Sequence, residues 1–152
     1  MVQEFLAGTV SGALGRRIVD GDIDAGDCMT LEGIETEFGV SRSAAREAVK
    51  ILESLHLVRS RRRVGVEVLD ARDWDVLAPR VIEWHLAGPR RDQELTWISE
   101  LRSAVEPTAA RLAARRGDGE QCAVLTGAVM GMTAAAPGPD LEAYLRHDVI
   151  FH

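Results

Sequence analysis

The sequence predicts a mainly α fold in two parts: three short helices closed by a two-stranded β ribbon, then an incomplete all-α bundle. Three observations predict it. Apolar residues recur at helical spacing through most of the chain, the period drops to two between residues 58 and 68, and clusters of Gly, Pro and Asp separate the periodic stretches.

Leu6, Val10, Leu14 and Ile18 define a first amphipathic helix that ends near Asp20 in the turn-rich GDIDAGD. Thr30 offers an N-cap, Leu31, Ile34 and Phe38 line one face, and Gly39 supplies the left-handed stop of a second short helix. Two residues later Ser41 caps again. The helix it opens carries Ala45, Val49, Leu52 and Leu55 on its apolar face, with Arg42, Arg46 and Lys50 at intervals of four on another. Val58, Ser60 and Arg62, then Val64, Val66 and Val68, alternate around a basic centre, which predicts two strands joined across residues 61–65. Helical spacing returns from Asp73 to Leu86, breaks at GPRRD (88–92), resumes over 93–116 and continues more weakly near 119–133. A Pro-Gly loop leads to Asp140, an N-cap for a last helix that is still running at His152. The division into domains falls at 1–70 and 71–152.

The 152 residues are 46% hydrophobic, enough for a buried core. No apolar run reaches the roughly 18 to 20 residues that span a bilayer, and no basic-then-apolar leader opens the chain, so no membrane partner and a cytoplasmic location are expected. Cys28 and Cys122 form no metal knuckle or CxxC pair and read as small packing residues. Charge is uneven within a net −6: residues 20–37 hold seven acids and no base, residues 39–66 seven bases against Glu47 and Glu53.

Two helices joined by a tight Gly-Val-Ser turn, the second longer and basic, have the sequence form of a helix-turn-helix, and the strand pair after it is a wing. The second helix can enter the major groove of duplex DNA by its N-terminal end. There Arg42 and Arg46 reach guanine edges or phosphates, with Ser41, Ser43 and Lys50 beside them. In the wing, Arg61, Arg62 and Arg63 can neutralise phosphates, and Gly65 lets the backbone approach the sugar-phosphate edge. Arginines on an arbitrary helix are a solvated face; the order turn, basic helix, basic wing reverses that reading.

The stretch EFGVSRSAAREAVKILESLHLV resembles the helix-turn-helix signature of GntR-type bacterial transcription factors, and LRSAVEPTAARLAARR (101–116) and RHDVIFH (146–152) resemble the first helices of the effector (FCD) domain of the FadR branch. DVLAPRVIEWHL is similar to members that sense sugar acids such as galactonate. The resemblance implies a homodimeric repressor that binds an operator and is released by a small carboxylate effector; it implies no enzyme. Many relatives carry an arginine in the second helix that touches DNA, where Glu32 stands here, so that helix is expected to contribute little to phosphate binding. Relatives also continue further, so the chain is expected to be C-terminally truncated.

Leu141, Leu145, Asp148 and His152 share a helix face, which puts a carboxylate and an imidazole one turn apart. By spacing alone the pair is a local hydrogen bond or two ligands of a divalent metal, zinc, nickel or manganese by donor type. The resemblance implies the metal, with two further histidines supplied by later helices. Arg102 sits at the edge of the stripe Ile98, Leu101, Val105, Ala109 and Leu112; it either pairs with Glu106 or grips an effector carboxylate, and the resemblance implies the second. His56, His85 and His147 read as structural or surface residues, Trp74, Trp84 and Trp97 as packing anchors, and Pro107 as a kink. Two other classes compete: a metal-dependent hydrolase using the DxxxH pair, against which no nucleophile elbow, HExxH or phosphate loop is present, and a protein-interaction module without a DNA target.

Overall fold

In the computed structural model, which describes residues 2–136, 138 and 140–152, two side-chain caps and one glycine set the N-terminal fold. Helix α1 (Val2–Asp20) buries Val10, Leu14 and Ile18 as their spacing requires, together with Ala7 and Val19. Helix α2 (Leu31–Phe38) starts where the Thr30 hydroxyl accepts the Gly33 N–H at 3.0 Å and stops at Gly39, whose φ of 62° is the left-handed conformation. Helix α3 (Arg42–Ser54) starts where the Ser41 hydroxyl accepts the Ala44 N–H at 3.3 Å. It buries Ala44, Ala45, Ala48, Val49 and Leu52 against α1.

The sheet has three strands, one more than the expected ribbon. β1 (Cys28–Met29), β2 (Val58–Arg61) and β3 (Gly65–Val68) lie in the order β1-β3-β2, antiparallel throughout, with Cys28 opposite Glu67 and Arg59 opposite Glu67 on the other side. A two-residue strand is too short to carry a period, which is why β1 was not legible. Leu57, Val58, Val66 and Val68 close the core under the three helices. Each fully buried aliphatic side chain there contributes roughly 1.5–3 kcal/mol.

Beyond the sheet the expected helix from Asp73 to Leu86 is not continuous. A single 3-10 turn at Ala71–Asp73 is followed by α4 (Pro79–Ala87). Proline at the first helical position explains the late start: it disfavours helical dihedrals in the preceding residue, and Ala78 has ψ 130°. Helices α5 (Arg91–Arg116, running through Pro107), α6 (Gly119–Ala135) and α7 (Leu141–Phe151) follow. Pro137 and Pro139 of the expected loop lie outside the described residues.

The chain divides into two compact units, residues up to Ile98 and residues from Ser99. The first holds nearly all of the buried apolar residues, Trp84 and Val81 of α4 included. In the second, Ala128 is buried, and α6 packs on α7 with the His147 ring against Gly131. The apolar stripes of α5 and α7 are open to solvent: Leu101, Val105 and Leu112 on the first and Leu141 and Leu145 on the second are all exposed. Trp97 is exposed too, whereas Trp84 is buried and Trp74 donates its indole N–H to the Leu69 carbonyl at 3.0 Å. Both cysteines are exposed and free, correcting the packing reading.

Candidate nucleic-acid interface and effector site

The N-terminal turn of α3 presents Ser41, Arg42 and Ser43 to solvent, and Arg46 and Lys50 follow on the same exposed side because Ala45, Ala48 and Val49 take the buried one. Across from it, the end of β2 and the loop to β3 carry Arg61, then Arg62, Arg63 and Val64, all exposed. Between the two lies a groove of about 410 Å³ whose lining includes Thr30, Glu32, Arg42, Arg61, Arg63 and Gly65. Arg63 has φ 66°, so the tip of the wing turns through a left-handed residue.

Not all of these bases are equally available. Arg59 Nε and Arg61 Nη1 both donate to Glu67 Oε2, at 2.9 and 3.1 Å, and the two guanidinium groups hold the Glu67 carboxyl below its ordinary range. Lys50 donates to Glu47 at 2.8 Å, and Arg42 Nη1 lies 3.6 Å from Glu35 Oε1. Among the described residues, Arg46, Arg62 and Arg63 have no ion pair. Gly65 has φ 117°, and a Cβ there would strike the Met29 carbonyl oxygen, so glycine is required by the approach of β1.

Glu35 and Glu67 are residues the sequence reading missed. Glu67 had a signal: with a ribbon assumed, Arg59, Arg61 and Glu67 fall on one face. Glu35 had none, because seven residues and a turn separate it from Arg42.

In the second unit, α5 and α7 bring four polar side chains together. Arg102 donates through Nε to Glu106 Oε1, and its Nη2 lies 3.1 Å from His152 Nε2 and 3.9 Å from Asp148 Oδ1. Glu106 and Asp148 raise the Arg102 guanidinium further above its already basic value. The intrahelical pair with Glu106 is therefore formed, and Arg102 also meets the two residues singled out as metal ligands. Next to this cluster is a cavity of about 440 Å³ whose walls include Ala109, Ala110, Ala113, Leu125 and Phe151, with Glu106 and His152 at its edge. Asp148 Oδ1 and His152 Nε2 stand 3.7 Å apart, a separation that one divalent ion bound at about 2.0–2.2 Å to each can bridge. Among the described residues, no group of three or more His, Cys, Asp or Glu side chains is placed to hold a metal.

A helix-turn-helix with a basic wing, followed along the chain by a second, all-helical unit, has the form of the winged-helix regulators. Comparison with known proteins gives the family. Residues 6–68 match the profile described as bacterial regulatory proteins, gntR family, and residues 97–152 match the FCD domain. The chain belongs to the GntR family of bacterial regulators, in the branch that carries an FCD domain. It is 30% identical over 99% of its length to the uncharacterized HTH-type transcriptional regulator YieP of Escherichia coli (strain K12), and 31% identical over 91% to the galactonate operon transcriptional repressor of the same organism. It spans 66% and 60% of the length of those two relatives. The structure of Lar, described as controlling expression of the Listeria monocytogenes agr system, shares the fold: TM-score 0.52 at 19% identity, over 93% of this chain and 58% of that one. The domains and the relatives are those of transcriptional regulators, not of enzymes. No helix among the described residues is long and apolar enough to cross a membrane.

Proposed function

We propose that this chain reads a DNA operator through α3 and the wing and represses transcription until a small carboxylate metabolite, such as a sugar acid, releases it. The observation that carries the reading is the exposed Arg46, without an ion pair among the described residues, beside Arg42 on α3, whose guanidinium shares a groove with Arg61 and Arg63 of the wing. Phosphate contact by the wing supplies affinity, and the forked guanidinium groups of α3 reach base edges. One winged module reads a half-site, so the operator-bound form is a homodimer with two recognition helices about one DNA turn apart.

Arg102 is the effector's anchor in this reading: a guanidinium already aligned on carboxylates takes a ligand carboxylate by two parallel hydrogen bonds. Asp148 and His152 would hold a divalent metal ion, which would supply a Lewis-acidic centre for the effector's oxygens. An effector that prefers the arrangement unable to bind DNA lowers operator affinity by its differential affinity for the two arrangements. The test is a salt series of binding to duplex DNA from upstream of the protein's own gene. Selective binding with a steep salt slope is expected; binding that ignores both sequence and salt would refute the reading.

A further inference from the structure

Glu35 Oε1 is shut off from solvent and accepts no hydrogen bond from any of the described residues. A carboxylate oxygen in that state is costly unless a cation stands near it. The cation is Arg42: its Nη1 lies 3.6 Å from that same oxygen, although the Arg42 side chain as a whole is 69% exposed. The pair bridges the turn between the two helices, with Glu35 in α2 and Arg42 as the first residue of α3. One helical turn on, Arg46 has no such partner among the described residues. The two arginines of the recognition face are thus not equivalent.

For Arg42 to bind a phosphate it must leave Glu35 or share its charge with it. If it leaves, a half-buried carboxylate is bared on the face that meets DNA; if it shares, part of its charge is already neutralised. Both routes reduce the counterion release on which sequence-independent affinity depends. We infer that Glu35 is a positioning residue that restrains Arg42 and thereby keeps this chain's affinity for the DNA backbone low, whatever the base sequence. The inference rests on the DNA-reading function proposed above.

The test is fluorescence anisotropy of a labelled mixed-sequence duplex titrated with the full chain across a salt series, using Glu35→Gln, Arg42→Ala and the double variant. Glu35→Gln is expected to bind more tightly at low salt and to steepen the slope of log K against log salt by about 0.9, one extra ion released. In the Arg42→Ala background the same change should do nothing. An unchanged slope overturns the inference, as does a steepening that survives loss of Arg42, which would make Glu35 only one of several acids in the field of α2. A merely structural role for Glu35 would not move the slope. If circular dichroism shows Glu35→Gln unfolded, the parent decides: Arg42→Ala should reduce the slope by clearly less than Arg46→Ala, and equal losses refute the restraint. A parent chain with no salt-dependent binding fails the DNA reading itself, whereas a binding parent with no Glu35 effect fails this inference alone.

Discussion

The Trp84 indole lies directly over Gly15, so that a Cβ on that glycine would collide with the six-membered ring. This contact joins α4 to α1 and gives the helix after the sheet a fixed seat on the winged module. Gly15 costs α1 some helix propensity, and the buried Trp84 side chain is what that cost supports. Gly15→Ala is expected to destabilise the first unit by about 1–3 kcal/mol, as overpacking does. Urea denaturation followed by tryptophan fluorescence reads it. An unchanged midpoint would show that α4 can move away without loss.

Arg46→Ala is expected to weaken binding to a selective duplex by about 1–3 kcal/mol if the guanidinium reads a base. The change should relax selectivity at one position rather than scale all sequences alike. Equal affinity at physiological salt would sink the assignment.

His85 predicts a pH dependence. It is buried in α4, its Nδ1 has no hydrogen-bond partner among the described residues, and the Trp74 ring lies 6.4 Å away. Burial pushes its pKa below the ordinary value near 6.5; Glu94 opposes the shift, Arg90 adds to it, and Asp20 opposes it. With the folded pKa lower than the unfolded one, the unfolded chain binds the proton more readily. Stability is therefore full above about pH 6.5 and declines as pH falls through that value toward the folded pKa. His85→Leu should flatten this part of the acid profile, measured as denaturation midpoints in neutral and mildly acidic buffer. A profile of the same shape in both proteins would assign the acid loss to other groups.

On the proposed reading, Arg102→Ala is expected to abolish release of operator by a carboxylate effector, tested with a panel of sugar acids, while leaving operator affinity intact. The two readouts come from one titration, with and without the acid. Normal release by the variant would leave Arg102 with a structural role in its cluster with Glu106, Asp148 and His152.

Much of the winged module was legible because its signals are local. Thr30 and Ser41 cap by their own hydroxyls, Gly39 stops α2 by its own dihedral, and alternation around Val66 and Val68 marks a strand with one buried face. What escaped were relations across the chain. β1 exists because Met29 pairs with Val66, and Glu35 matters because a turn folds it back toward Arg42. In the second unit the apolar stripes of α5 and α7 are present at the expected spacing but stand open, since periodicity specifies a face and not its cover. The cluster of Arg102, Asp148 and His152 was legible as separate residues; their meeting needed the packing of two helices.

The turn between α2 and α3 has three residues: Gly39 ends one helix, Ser41 caps the next, and Val40 alone lies between them. Such a joint tolerates changes of letter better than changes of length. One residue added to the start of α3 would rotate everything after it by about 100° about the helix axis, carrying Glu47 to the place Ala48 now occupies in the core and Ala45 to the exposed place of Arg46. Insertions and deletions are closed to this segment as routes of divergence. New operators must be acquired by exchanging side chains on a face whose phase is fixed.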